Sequence, residues 1–297
     1  MNLVDFYKRF PSELECIQYL EEIRWNGKIV CPRCDSDRVY KFSSGKLLKC
    51  GACRKQFTVR IGTIFEDSRL PLQKWFLAIY LHTSLKKGIS SIQIGKYLGI
   101  TQKSAWFVLQ RIRYAVSTQS YNKPLSGIVE VDETFFGANG KNRAYEWGAS
   151  KKKEVIMGMV ERKGRAYLKH VPNTLKATLV NQIKENVDPK AHVMTDELPA
   201  YKNLYTEGYF KHYSVNHSYK EYVRKHLFHT NSIEGVWSHL KRGIKGIYIH
   251  VSKKHLAKYC DEYSFRFNFR EITDAQRFDV WFGYCVDKRL TYKSLIG

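Results

Sequence analysis

Apolar positions change their period several times along this chain, and each change marks a different kind of element. In residues 1–30, Leu14, Ile17, Leu20 and Ile23 recur at helical spacing with Cys16 on the same face, which predicts a helix with one buried stripe. Residues 31–60 are short, Cys-punctuated and strand-like. Helical periodicity returns over 61–120, where Leu72, Trp75, Phe76, Ile79 and Tyr80 form one stripe and Pro71 suits a first helical position. SYNKPLSG, residues 120–127, has linker composition. From residue 128, the runs GIVEVDETFFG, EVIMGMVER and GRAYLKHV read as strands. A helix follows in TLKATLVNQIKENV, with Thr174 as its N-cap, then a strand in HVMTD and another at 211–216. A helix is expected from about Asn231, and a last long one from Ser252 to about Phe269. The order β-β-β-α-β-α-β-α predicts an α/β domain behind two smaller N-terminal pieces.

Charge changes this picture more than composition does. Fifty Lys and Arg against 28 Asp and Glu leave a net charge of +22, which points to a polyanionic partner, nucleic acid or an anionic surface. No stretch of about 18 apolar residues occurs, so no membrane-spanning helix is expected. The N-terminus carries acids and an early Pro in place of an apolar signal core, so secretion is not expected. Seven Cys without a secretory signal favour reduced thiols and metal ligation over a disulfide framework.

Four of those Cys form two close pairs, Cys31-Pro-Arg-Cys34 and Cys50-Gly-Ala-Cys53, separated by 15 residues. Two such pairs joined by a hairpin set four thiolates around Zn²⁺, and four thiolates leave no open position, so the zinc is structural. Gly51 favours the tight turn that aims amides at sulfur. Cys16, Cys260 and Cys285 read as core residues. Lys28, Arg33, Arg38, Lys41, Lys46, Lys49, Arg54, Lys55 and Arg60 surround the ribbon, either as a solvated face or as a DNA contact.

Residues 90–112 read as helix, turn, helix. Ser90 or Ser91 caps the first helix, Gly99 makes the turn and Thr101 caps the second. Gln102, Lys103 and Ser104 then stand at the N-terminal end of the second helix, where a recognition helix presents side chains to base edges.

Asp132 lies in the apolar strand GIVEVDETFFG, and Asp196 follows the strand HVMT. Acids at the ends of neighbouring strands bind Mg²⁺, which prefers oxygen ligands, and paired ions of this kind serve phosphoryl transfer. Read as a helix, HTNSIEGVWSHLKRGIKG brings Asn231, Glu234, Trp237 or Ser238, and Lys241 near one face, and Glu234 and Lys241 are two turns apart. Glu234 completes a carboxylate triad on this reading, with Lys241 on the phosphate. Asn231 is alternatively a simple cap. Lys241, Arg242, Lys245, Lys253, Lys254 and Lys258 form a basic helical stretch at 241–258, and Arg266 and Arg270 extend it toward DNA phosphates. His229, His250 and His255 flank this region.

These motifs together resemble the prokaryotic insertion-sequence transposases of the ISXO-like class. The matching stretches are CPRC…CGACRKQFTVRIGTIFEDSRLPLQKW, VDETFFG, MTDELPAYKNL and HTNSIEGVWSHLKRGIKGIYIHVSKKHLAKYCDEYSFRFNFR, within about residues 15–275. The resemblance implies a ribonuclease-H-like catalytic core, a mixed sheet flanked by helices. It further implies Mg²⁺- or Mn²⁺-dependent cleavage at terminal inverted repeats, and joining of the freed 3′ ends to target DNA. It assigns the first two acids to Asp132 and Asp196. The third position is Glu234 or Asn231, with Glu234 favoured because a carboxylate is the better Mg²⁺ ligand. The corresponding division is a helix and zinc ribbon at 1–60, a helix-turn-helix region at 61–120, the catalytic domain at 126–275 and an extension at 276–297, whose apolar content suggests packing onto the core. A dimer or higher oligomer on DNA, in a prokaryotic cytoplasm and associated with the nucleoid, is expected. A non-catalytic DNA-binding regulator and a structure-specific nuclease or resolvase are the alternative functions.

Overall fold

The computed structural model describes residues 1–117, 123–137, 153–214 and 230–297. His229, the end of the strand expected at 211–216 and the start of the expected linker lie outside them. Two compact units are formed, one by Met1–Val116 with Glu271–Gly297, the other by Ser117–Arg270.

In the first unit the helix expected over residues 1–30 is two helices, α1 (Leu3–Arg9) and α2 (Glu13–Trp25). Pro11 disfavours helical backbone at Phe10, whose φ and ψ are −128° and 65°. Ser12 then caps α2 by accepting the Leu14 amide at 3.1 Å. The buried stripe of α2 is Cys16, Ile17 and Leu20, while Leu14 and Ile23 are 36% and 39% exposed, so the stripe is narrower than its period implied. An antiparallel ribbon follows, β1 (Val39–Lys41), β2 (Leu48–Cys50) and β3 (Gln56–Phe57) in that spatial order. Three helices come next, α3 (Leu72–Ser84), α4 (Ser91–Leu98) and α5 (Gln102–Ala115). Pro71 stands one place before α3, as its N-cap with ψ 146°, not inside it.

The second unit is built on five strands: β4 (Ile128–Phe136), β5 (Glu154–Glu161), β6 (Ala166–Val171), β7 (His192–Thr195) and β8 (His212–Ser214). Their spatial order is β6-β5-β4-β7-β8. β4, β5 and β6 are antiparallel neighbours, and β7 and β8 extend the sheet in parallel from β4. This order and mixture of directions agree with the expected ribonuclease-H-like core.

α6 (Lys176–Asn186) connects β6 to β7. It begins two residues beyond the expected cap Thr174, because Asn173 Oδ1 accepts both the Leu175 amide at 3.1 Å and the Thr178 hydroxyl at 2.7 Å. The link from β7 to β8 consists of two 3-10 turns, Pro199–Tyr201 and Leu204–Glu207, so no full helix separates those strands. Pro199 opens the first turn and left-handed Gly208 closes the second. After β8 come α7 (Asn231–Gly243) and α8 (Lys253–Asn268). The basic stretch at 241–258 is therefore not one helix. α7 runs into a π-helical turn at Ile244–Tyr248, and the chain breaks at Ile249 with φ 61°.

Strand alternation sorts the two faces of this sheet. Val129, Val131, Met157 and Met159 pack with Leu179, Val180 and Ile183 of α6. Ile156, Val160 and Leu168 pack with Ile233, Trp237 and Leu240 of α7 and Leu256 of α8. Even-numbered β4 residues Glu130 and Asp132 face α7, whose Ser232 and Trp237 they bind.

The chain ends in α9 (Asp274–Phe282) and α10 (Tyr292–Ile296), which belong to the first unit. Phe278 and Phe282 of α9 join an aromatic core with Phe10 and Phe76, the Phe76–Phe282 centroids lying 4.5 Å apart. The last residues thus complete the N-terminal core.

Candidate functional site

The four paired Cys converge at one end of the ribbon. Their sulfurs lie within 4.8 Å of one another, with Cys31 Sγ 3.7 Å from Cys53 Sγ and Cys34 Sγ 3.6 Å from Cys50 Sγ. A tetrahedron with Zn–S bonds of about 2.3 Å has edges of about 3.8 Å, and a disulfide needs about 2.05 Å, so the donor set fits zinc. The Cys53 amide donates to Cys50 Sγ at 3.4 Å, and the Cys53 and Ala52 amides lower the Cys50 thiol toward thiolate. Gly51 is required for close approach, since a Cβ there would stand 2.9 Å from Tyr40 Cε2. Cys16, Cys260 and Cys285 are buried away from this cluster.

The acids meet through strand register. β4 and β7 pair in parallel as Ile128–His192, Val129–Val193 and Glu130–Met194, and the same offset carries Asp132 to Asp196. A carboxylate oxygen from each lies within 4.8 Å of the other, and Glu133 supplies a third oxygen to the group. Asp132 and Glu133 root on opposite faces of β4. The β4–β7 ladder stops at Glu130–Met194, and both side chains converge round the edge beyond it. Tyr201 donates its hydroxyl to Glu133. Burial first, then the charges of Asp196 and Asp132, push the Glu133 carboxyl up to about 8. Three oxygens this close, with one acid held toward neutrality by its neighbours, suit an oxygen-seeking divalent cation. A cleft of about 330 Å³ opens beside Asp196, between Tyr201, Lys202 and His212.

α7 is fastened over this site at two points. Fully buried Glu130 accepts the Ser232 and Ile233 amides at 2.9 and 3.1 Å, the Ser232 hydroxyl at 3.0 Å and Arg162 Nε at 2.7 Å. It thereby caps the helix N-terminus from the neighbouring strand. One turn and a half further on, Trp237 Nε1 donates to Asp132 Oδ2 at 2.7 Å. Asn231 and Glu234 are exposed on the same helix, and Glu234 does not belong to the group of oxygens within 4.8 Å formed by Asp132, Glu133 and Asp196. Lys241 follows two turns after Glu234 and is half-buried.

Glu133, Glu130 and Tyr201 were not singled out by sequence reasoning, and Trp237 was named there only as one of the residues near the Glu234 face. Alternation in VEVDET does carry a signal for Glu130, which must share a face with Asp132. Nothing local marks Glu133.

Residues 124–268 match the ISXO2-like transposase domain, and residues 11–56 match the transposase zinc-ribbon domain. An uncharacterized transposase-like protein of Haemophilus influenzae is 34% identical over 110 residues, 37% of this chain and 86% of that protein. The chain belongs to the ISXO2-like transposase family. An uncharacterized protein in transposable element ISH50 of Halobacterium salinarum is 26% identical to this transposase-family chain over 280 residues, 87% of this chain and 92% of that protein.

In this family member α4 and α5 are capped as expected. Ser90 Oγ accepts the Gln93 amide at 3.2 Å, Gly99 is left-handed with φ 60°, and Thr101 Oγ1 accepts the Ser104 amide at 3.2 Å. Ala105, Val108, Leu109 and Ile112 are buried. Gln102 and Lys103 are exposed, although Gln102 Nε2 donates to Ser91 Oγ at 2.8 Å and Lys103 Nζ lies 5.2 Å from the Tyr292 ring centre. Arg242, Lys245, Lys253 and Lys254 are exposed, with Lys253 paired to Glu154 at 3.0 Å. Arg266 is not a surface cation. It is spent on buried Glu262 at 2.7 Å, one turn earlier on α8, which also accepts the Tyr248 hydroxyl at 2.6 Å. Arg270 is exposed and also donates to the carbonyl oxygens of Gly164 and Phe267. Among the described residues no helix is long and apolar enough to cross a membrane.

Proposed function

We propose that this transposase-family protein binds the terminal inverted repeats of an insertion sequence, cuts the DNA strand at their ends and joins the freed 3′ ends to target DNA. The observation that carries this reading is the adjacency of Asp132 and Asp196 on parallel neighbouring strands, with Glu133 beside them. Asp132 and Asp196 would hold Mg²⁺ or Mn²⁺, with Glu234 as the favoured further ligand and Asn231 as its alternative. Bound there, the ions supply activation of the attacking water or 3′-hydroxyl and stabilisation of the departing 3′ oxygen.

The remaining work belongs to side chains. Lys241, Arg242, Lys245, Lys253 and Lys254 neutralise phosphates near the acids, so affinity falls steeply with salt. Gln102 and Lys103 at the start of α5 meet base edges of the repeat, and the zinc ribbon adds backbone contacts. Residues 61–120 act as the helix-turn-helix part and residues 126–275 as the catalytic part. Two element ends have to be held together, which calls for a dimer or larger assembly on DNA.

Cleavage of the element's end DNA with Mg²⁺ tests this, comparing wild type with Asp132→Ala, Asn231→Ala and Glu234→Ala. Wild type is expected to cut and join ends, and Asp132→Ala to do neither. Whichever of the other two loses cleavage completes the site. Tight end binding without cutting under any divalent ion would replace this reading with that of a DNA-binding regulator. Cutting of branched DNA irrespective of the repeats would replace it with that of a structure-specific nuclease.

A further inference from the structure

We propose that Trp237 is a positioning residue that sets the orientation of the Asp132 carboxylate for divalent-cation binding. This inference rests on the reading of Asp132 as a cation ligand. Three observations support it. The first is the bond itself, from Trp237 Nε1 to Asp132 Oδ2 at 2.7 Å. An indole N–H is a donor only, so the partner oxygen must accept. A carboxylate has a broad, roughly two-fold torsion about its last bond, and one fixed donor restricts it to one setting.

The second observation is the berth made for the indole. Asp132 pairs across the sheet with Gly158. A Cβ on Gly158 would lie 2.6 Å from Trp237 Cη2, 2.7 Å from Cζ2 and 3.0 Å from Ile233 Cδ1. Any side chain at that position displaces the ring, so the absence of one lets the indole come close against β5 and reach Asp132. The third is the fastening of α7 by Glu130, which binds the Ser232 and Ile233 amides from two residues before Asp132 on the same strand. Acid and indole are thus tied to a common strand at both ends. Trp237 is itself only 5% exposed, so its ring has little freedom to drift.

Outer partners of this kind typically change metal affinity by roughly 10–100-fold when removed. The test is Mn²⁺ binding to the full, zinc-loaded chain by electron paramagnetic resonance, without DNA, for wild type, Asp132→Asn and Trp237→Phe. Phenylalanine keeps an aromatic ring in the berth and removes the donor. The expected result is loss of the Mn²⁺ site in Asp132→Asn and a weakening of about 10-fold or more in Trp237→Phe. Loss in Asp132→Asn with wild-type affinity in Trp237→Phe overturns the role of Trp237 and leaves the cation site standing. Wild-type affinity in Asp132→Asn removes the cation site itself, and the role of Trp237 with it.

A second measurement needs no Trp variant. The chain has six Trp, whose indole N–H signals are separable by nitrogen-15 labelling. Asp132→Asn is expected to move one of them upfield, as a charged acceptor becomes neutral. If none moves, the hydrogen bond does not exist in solution and the proposal falls.

Discussion

The thiol cluster and the carboxylate cluster are both groups of metal-seeking side chains within 4.8 Å of one another, yet they are assembled in opposite ways. The four Cys come from a stretch of 23 residues, Cys31 to Cys53, closed by a small antiparallel ribbon. That ribbon buries little, chiefly Leu48 and Phe57 against the sulfurs. The acids come from strands 64 positions apart, brought side by side by parallel register and held by a large two-faced core. A ribbon this small leans on its metal for stability, whereas the acids are held side by side by the burial of a two-faced core. A local site is held by its metal, and a long-range site by burial and by buried polar fastenings such as Glu130.

Zinc removal should produce the largest difference between the two. Structural zinc contributes about 10–16 kcal/mol in small zinc-binding peptides. Cys50→Ser should therefore abolish bound zinc and hydrogen-exchange protection over Cys31–Phe57, while the strands of residues 128–214 keep theirs. Equal loss in both regions would break the comparison. Next in size is Glu130→Ala, which leaves Arg162 and the first amides of α7 without their acceptor. Breaking a buried pair costs about 3–5 kcal/mol. A urea titration followed through the amide signals of β4 should find a loss of this order, and one under about 1 kcal/mol would mean that the fastening is idle.

The most gradual effect is in pH, where the change is spread over several units. The folded Glu133 carboxyl is pushed up to about 8, above its ordinary value of 4.5. Such a group favours the fold fully below the ordinary value and loses that contribution as pH rises through the folded one. In the absence of divalent ions the stability of residues 117–270 should therefore fall between pH 4.5 and about 8, by at most about 1.4 kcal/mol per pH unit. Glu133→Gln should flatten this slope, and thermal melts across that range check it.

Much of this was legible from residues alone. Ser90, Gly99 and Thr101 announce two helices and their turn because caps and left-handed turns depend on neighbours within a few positions. The four Cys declare their site for the same reason. The path of α2 was less legible, since Leu14 and Ile23 share its period but stay partly exposed. Arg266 shows the limit for charge. Its identity says surface, but the buried Glu262 one turn earlier on α8 takes it inward.

Residue identity and spacing were enough to place the paired cysteines, the central strand with its acids, and the helix that follows them. Local spacing, alternation and capping act over a few residues, and they survive in a one-dimensional reading. It took the folded chain to bring Glu133 to Asp132 and Asp196, to cap α7 with Glu130 from another element, and to carry Trp237 over Gly158 to Asp132. Each of those contacts spans tens of residues or more, or turns on where a strand ladder ends. Such contacts depend on register and burial, and neither exists until the sheet has formed.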